Sequence, residues 1–358
     1  MIYITYYSHI DYSFFTEARI NHYRELLSKA LDNGWNVLYL LRLEDNKEKL
    51  TRLIHFFLPI IRTGKVYLFY LSNYNSFSIA NEMCIITDIG ALSCYPSSQI
   101  STINCGFYLK TKSAINLFTK YLNVFLRDNA QSIIRYYPQI PNEEYHFTIT
   151  KVKQQAGNIY YYNWYFSLFL IPEKTYKKLL SRTALAKEMQ QLSLDNYKAQ
   201  LEGFCENIKR YSCDIIYLSD FIENLIDHHI LSLSTYSGVE IVVLEPMEII
   251  ELLQNIIHFL LSYNNFRLGI IFHNDNRLKY SDAYHFFIKE RKAVFINIYD
   301  TPFTVPKVRL LMKESMITKG FVEYFKLYWD QIAPVNKNKN EIVAWLQACI
   351  DSVKNAMN

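Results

Sequence analysis

The chain has 358 residues, is 50% hydrophobic and 20% charged, and carries a formal net charge of +4. A net charge this small does not suggest the dense Lys/Arg stripe that is typical of proteins that wrap nucleic acid. The length allows a large core and favours two domains or one duplicated domain.

The first part of the chain is predicted to alternate helices and strands, as α/β layers do. The periodicity, caps and turn signals give these elements in chain order: a helix at 11–30, a strand at 37–43, a helix at 45–61, a strand at 66–71, hairpin strands at 82–87 and 91–95 with a turn at Asp88-Ile89-Gly90, a strand at 106–110, and an amphipathic helix at 113–134.

The rest of the chain shows a connecting stretch and then a second α/β pattern. The predicted elements are a strand at 158–171, helices at 172–180 and 184–208, a small α/β bridge at 214–231, a strand at 241–244, a helix to Ser262, a strand at 267–272, hairpin strands at 284–288 and 293–298 joined by a turn at 289–292, and helices at 317–332 and 340–356.

The two ends of the chain read as copies of one unit, because each has a helix, a strand, a hairpin and an aromatic-rich helix in the same order. The strand at 37–43 is matched with the one at 267–272. We therefore expect an α/β fold with a first lobe at 1–150, connecting strands and a helical arm at 151–235, and a second lobe with a C-terminal helix at 236–358. A duplicated domain usually builds one cleft between its halves, which is where we expect a ligand.

Motifs that carry chemistry are absent from the sequence. It has no Gly-rich phosphate loop, no Gly-x-Ser-x-Gly and no His-Glu-x-x-His. Neighbouring His228 and His229 diverge on a helix and do not suit one metal. The six cysteines form no Cys-x-x-Cys pair and are typical of reduced core residues. We expect no metal, no cofactor and a cytoplasmic location, since no leader and no apolar run of about 18 residues is visible.

Arg42 and His273 each end the matched strand of their copy, where α/β folds usually place ligands. Arg42 suits an anion, and His273 suits a base or an anion partner. The alternative is structural: Arg42 pairs with Glu44 or Asp45, and His273 caps a loop.

The two-copy layout with a hairpin in each copy resembles the phospholipase D superfamily. This resemblance implies two similar α/β lobes, and its enzymes carry His-x-Lys-x4-Asp in each copy, with the His as nucleophile. With Asp88 in the Asp place, the other two places hold Asn81 and Met83. With Glu290 in that place, they hold Ala283 and His285. The degenerate signature predicts a non-catalytic relative.

Short sequence segments near both ends of the chain resemble the sensor region of bacterial helix-turn-helix transcriptional regulators of the Cro/C1 type. They are Tyr23–Leu27, Ala30–Val37, Leu40–Leu43, Phe325–Pro334 and Val343–Leu346. Members of that family have a DNA-binding domain before this region. No such pattern with a basic recognition helix is visible here, so we expect no direct DNA binding.

Together these features predict a non-catalytic ligand-sensing or protein-interaction domain of a transcriptional regulator. Its expected partner is a small ligand, for which an anion is one candidate, or another protein. Arg42, Asp88, His273 and Lys289 are the candidate ligand-binding residues. Two alternatives stay open: a phosphodiesterase or nuclease of the phospholipase D type, and an assembly module in which the aromatic run at 160–165 serves a homodimer interface.

Overall fold

The computed structural model describes residues 1–6, 17–41, 43, 45–71, 82–96, 103–137, 143–163, 165–272, 284–299 and 306–357. The chain divides into two compact units, Met1–Tyr136 and Tyr137–Asn358. Each unit has a hydrophobic core of its own. Among the described residues, no helix is long and apolar enough to cross a membrane.

The first unit is an α/β unit with a seven-stranded sheet. Its helices are α1 (Glu17–Asp32), α2 (Lys47–Ile61) and α3 (Lys112–Asn129). Its strands are β1 (Ile2–Tyr6), β2 (Val37–Leu41), β3 (Val66–Leu71), β4 (Glu82–Ile86), β5 (Gly90–Pro96), β6 (Ile103–Leu109) and β7 (Ala130–Ser132), and β8 (Ile134–Tyr137) runs up to the second unit.

The sheet of the first unit has the order β6-β5-β4-β1-β2-β3-β7. β1, β2 and β3 run parallel, whereas β4 is antiparallel to β1 and continues into an antiparallel meander. All five residues of β2 are buried, as expected for a strand covered on both faces. Asn46 caps α2 by accepting a hydrogen bond from the Lys49 backbone, and Gly64 ends the turn after that helix with φ +71°.

The second unit is also α/β and contains more helices. Its helices are α4 (Glu143–Lys153), α5 (Glu173–Leu180), α6 (Lys187–Ile208), α7 (Ser219–His228), α8 (Pro246–Ser262), α9 (Ser315–Gln331) and α10 (Lys339–Met357). Its strands are β9 (Ile159–Asn163), β10 (Cys213–Leu218), β11 (Ile230–Ser234), β12 (Val239–Val243), β13 (Phe266–Ile271), β14 (Tyr284–Lys289), β15 (Ala293–Ile298) and β16 (Val308–Met312).

Six strands of the second unit form a sheet in the order β13-β10-β9-β14-β15-β16. β9, β10 and β13 are parallel, and β14 is antiparallel to β9 and opens a meander through β15 to β16. This arrangement repeats that of β1 to β6 in the first unit. β11 and β12 form a separate two-stranded ribbon.

Most predicted elements are present. The additional ones are β1, β7, β8, α4, β11 and β16. The helix predicted at 113–134 ends at Asn129, and the strand predicted at 158–171 ends at Asn163. Two further predictions differ from the structure in their placement. By its place in the sheet β2 corresponds to β10, and β13 corresponds to β3, so the sequence matching of 37–43 with 267–272 is displaced by one strand. Residues 151–235 are not a separate arm, because β9 and β10 are central strands of the second sheet.

Candidate functional site

A cavity of about 130 Å³ lies within the second unit, on one face of its sheet. The sheet contributes Asn163 from β9, His285 from β14, Asn297 from β15 and Arg309 from β16. Helix α4 contributes Tyr145, His146 and Lys153, and the ribbon contributes Ser232, Ser234 and Val239. None of the described lining residues is an aspartate or a glutamate.

Strand register sets the polar floor of this cavity. His285 of β14 lies opposite Asn297 of β15, and Asn297 lies opposite Arg309 of β16. Residues opposite each other in antiparallel strands point to the same face with Cβ atoms about 5 Å apart. The meander therefore places His285, Asn297 and Arg309 in one row.

A hydrogen-bond chain fixes the orientation of the His285 ring. The Tyr145 hydroxyl donates to Asn297 Oδ1 at 2.8 Å, which leaves Asn297 Nδ2 to donate to His285 Nε2 at 2.7 Å. With Nε2 accepting, the ring proton resides on Nδ1, which lies 3.2 Å from the Tyr299 hydroxyl. Both ring nitrogens of His285 are thus engaged.

Two cationic side chains border the cavity. Arg309 is 4% exposed, and its guanidinium lies 4.8 Å from the centre of the Tyr145 ring. Lys153 Nζ donates to Gln200 Oε1 at 2.8 Å and lies over the Phe287 ring at 5.6 Å. Burial lowers the pKa of Lys153 to about 8, so its amine is mostly protonated at neutral pH.

Several buried polar atoms of the cavity wall lack hydrogen-bond partners among the described residues. They are Nε and Nη1 of Arg309, Nε2 of His146 and Oγ of Ser232. A buried polar group without a partner costs about 1–3 kcal/mol. Three residues around one cavity thus carry polar atoms that are free to bond with a group inside it.

Both histidines of the cavity are neutral at physiological pH. Burial lowers the pKa of His146 to about 4, and the nearby charges of Arg309 and Lys153 lower it further. Burial lowers the pKa of His285 to about 3, with added repulsion from Lys153 and Arg309. The site therefore holds two positive charges, two neutral imidazoles and no carboxylate among its described residues. Such a set attracts an anion.

The end of β9 is held by a second polar cluster. The Tyr217 hydroxyl donates to Ser167 Oγ at 2.7 Å and accepts from the Ser167 backbone at 3.1 Å. Asn163 Oδ1 accepts from the Tyr165 backbone at 2.9 Å. These bonds hold Tyr165 and Ser167, which line this side of the cavity.

The residues predicted from sequence lie elsewhere or cannot be placed. Arg42 and His273 fall outside the described residues. Asp88 is exposed in the β4–β5 turn of the first unit, where its φ is +65°. Lys289 ends β14, is fully buried, and has no hydrogen-bond partner for Nζ among the described residues. Neither Asp88 nor Lys289 lines the cavity.

We expect Lys289→Met to raise the free energy of unfolding by about 1–3 kcal/mol, because it removes a buried amine that gains no hydrogen bond. Burial already lowers the pKa of this amine to about 8. Urea denaturation of the two proteins measures the difference. Anion binding should stay unchanged, and a loss of binding would instead make Lys289 part of the site.

Three cavity residues could not be identified from the sequence because the elements that carry them were not predicted. Arg309 lies on β16, and His146 and Lys153 lie on α4. His285 entered the sequence analysis only as a mismatch to the phospholipase D signature. The sequence does contain a signal for this row. His285 and Asn297 are the same number of residues from the hairpin turn, so the two strands place them opposite each other and on the same face.

The corresponding row of the first unit has different chemistry. Its hairpin places Glu82 opposite Cys94, and Cys94 opposite Gly106. Counted from the turn, these positions correspond to His285, Asn297 and Arg309. Among the described residues, no group of three or more His, Cys, Asp or Glu could hold a metal ion.

No family model matches the chain. No curated protein matches it either. Several solved structures show remote similarity to the chain, including the following two. One is TrmBL2, an archaeal chromatin protein whose structure shows a novel mode of DNA binding. The two sequences are 11% identical, the match covers 62% of this chain and 61% of that chain, and the TM-score is 0.30. The other is the phosphatidylserine synthase of Haemophilus influenzae Rd KW20. The two sequences are 10% identical, the match covers 99% of this chain and 89% of that chain, and the TM-score is 0.30.

This chain therefore spans less than two thirds of the length of TrmBL2. Neither similarity is close enough to assign a fold family or a function, and what is established is a mixed α/β fold with two sheet-centred units.

Proposed function

We propose that the second unit is a non-catalytic domain that binds a small anion in the cavity bordered by Lys153, His285 and Arg309. The observation that carries the proposal is the charge of the lining: two cations and no carboxylate among the described residues of the wall. A buried charge without a counter-ion is unfavourable unless a ligand supplies one. In this proposal the anion is that counter-ion.

The geometry of His285 favours binding over covalent catalysis. A nucleophilic imidazole needs a free lone pair within reach of the substrate. The Nε2 lone pair accepts from Asn297, and Nδ1 lies beside the Tyr299 hydroxyl. The ring is thus a neutral wall group that can respond to a bound charge.

We also infer that the two units arose by duplication, as the phospholipase D-like resemblance implies. The support is the shared strand order of β1 to β6 and of β9, β10, β13, β14, β15 and β16. In this interpretation the first copy lost, or never had, an arginine in the row, because Glu82, Cys94 and Gly106 occupy its three positions. The second copy then binds the ligand. A sensor role in a transcriptional regulator, without direct DNA contact, is consistent with this division.

Calorimetric titration of the whole chain with sulfate and with phosphate tests the proposal. We expect saturable binding with one site, a higher midpoint of thermal unfolding with sulfate, and no comparable effect of chloride at equal ionic strength. Absence of binding by every di- and monoanion tried, including small carboxylates, would refute the proposal.

A separate assay tests the alternative that the protein is a phosphodiesterase. Hydrolysis of a generic phosphodiester by the pure protein, abolished in His285→Ala, would favour a phosphodiesterase of the phospholipase D type. We expect no turnover above that of the His285→Ala variant.

A further inference from the structure

The ribbon of β11 and β12 joins the cavity to an exposed apolar strip. Its register pairs Ser234 with Val239, Ser232 with Ile241, and Ile230 with Val243. Opposite residues share a face and successive residues alternate between faces. All six side chains therefore lie on the same face of the ribbon.

The two ends of this face have different surroundings. Ser234 and Val239 at the hairpin end and Ser232 of the middle pair line the cavity. Ile241, opposite Ser232, is 54% exposed, and Val243 at the other end is 67% exposed. Ile230, opposite Val243, is 38% exposed. The lining of the anion site thus continues into a strip of three branched apolar side chains in solvent.

The opposite face of the ribbon already covers the core. Leu231, Leu233 and Val242 are at most 5% exposed and belong to the hydrophobic cluster of the second unit. The hairpin tip is also held, because the Tyr236 ring stacks on His146 at 5.3 Å and the Ser193 hydroxyl accepts from the Tyr236 backbone. The ribbon is fixed with the apolar strip outward, so the strip is not the unpacked side of a loose hairpin.

We propose that the ligand is an anion with an alkyl substituent, such as a monoalkyl phosphate, whose charged group enters the cavity and whose chain lies over Ile230, Ile241 and Val243. This inference rests on the proposed function, and it adds the ligand class. Continuity of one ribbon face from the cavity wall to the strip is the argument for this occupant. From Val239 to Val243 the face extends about 13 Å, at about 3.3 Å per residue, which suits a chain of medium length.

Titrating the whole chain with methyl, butyl and octyl phosphate below their aggregation limits tests the inference. We expect octyl phosphate to bind at least about tenfold more tightly than methyl phosphate, since apolar burial contributes to affinity with each added methylene. In the double variant Ile241→Ser, Val243→Ser this gain should disappear while the affinity for methyl phosphate stays unchanged. Both replaced side chains are exposed, so the fold should tolerate the change.

Leu261→Ser is the matched control, because Leu261 is 59% exposed on α8 and does not belong to the ribbon. It should keep the full dependence on chain length. Equal affinities for methyl and octyl phosphate in the wild-type protein would overturn the inference while leaving the anion site intact. Failure to bind methyl phosphate at all would instead overturn the proposed function. A dimer that the double variant dissociates, with no chain-length effect, would assign the strip to a second copy.

Discussion

Replacing Arg309 by Met is expected to reduce the affinity for sulfate or phosphate by on the order of 100-fold, since truncating one partner of a buried charge pair costs about 2–5 kcal/mol. The same change should raise the free energy of unfolding of the ligand-free protein by about 1–3 kcal/mol. The reason is that Nε and Nη1 lack partners among the described residues and the guanidinium is 4% exposed.

Weaker anion binding together with a higher free energy of unfolding would show that Arg309 serves a ligand, since loss of a structural arginine lowers the free energy of unfolding. Calorimetry measures the affinity, and urea denaturation without anions measures the stability. Arg210→Met, at an exposed position of the same unit, should change neither quantity. If Arg309→Met destabilised the ligand-free protein by several kcal/mol, Arg309 would be a structural residue and the site would need another assignment.

Acid is expected to destabilise the second unit through His146 and His285. In the unfolded chain a histidine has a pKa of about 6.5. In the folded protein burial lowers these pKa values to about 4 and about 3. Below about pH 6.5 the unfolded state therefore binds protons that the folded state does not, so stability is complete above that pH and falls as the pH decreases.

The size of the effect follows from the linkage slope, about 1.36 kcal/mol per pH unit for each proton. Between pH 6.5 and pH 5 each histidine should contribute a loss of about 1.5 kcal/mol, since the unfolded histidine binds half a proton at pH 6.5 and nearly a full one at pH 5. Urea denaturation at several pH values measures it. His146→Gln and His285→Gln should each flatten the profile, and His258→Gln, at an exposed position, should not. A profile that both cavity variants leave unchanged would contradict the neutral state of these histidines.

Binding of an anion should reverse part of this acid sensitivity. A negative charge beside His146 and His285 raises their pKa values, because it offsets the repulsion from Arg309 and Lys153. The ligand therefore favours protonation of the site, and by linkage a lower pH favours the ligand until the fold itself is lost.

The regular elements could be predicted because their signals are local. The run Val37–Leu41 is apolar throughout, and the β4–β5 and β14–β15 hairpins have short strands around a clear turn. α8 begins at Pro246 with a capping box of Glu245 and Glu248, and its helical pattern is visible in the sequence.

The site was less predictable because its residues are joined by tertiary contacts. α4 mixes two threonines and an isoleucine with charged residues and has a weak apolar face, so its helical period is faint. Arg309 reads as a surface residue until β16 pairs with β15 and turns its side chain toward Tyr145. The mismatch of one strand between the copies has the same origin, because apolar strands look alike until their neighbours are known.

An anion beside His146, His285 and Arg309 is expected to raise the pKa of these histidines, and calorimetric measurement of proton uptake tests its presence most directly. Sulfate is titrated into the protein at pH 5 in two buffers with different heats of ionisation, which reports the protons bound with each anion. We predict uptake of a substantial fraction of a proton per sulfate, which His146→Gln diminishes. Binding of sulfate with no proton uptake, or with proton release, would contradict the account.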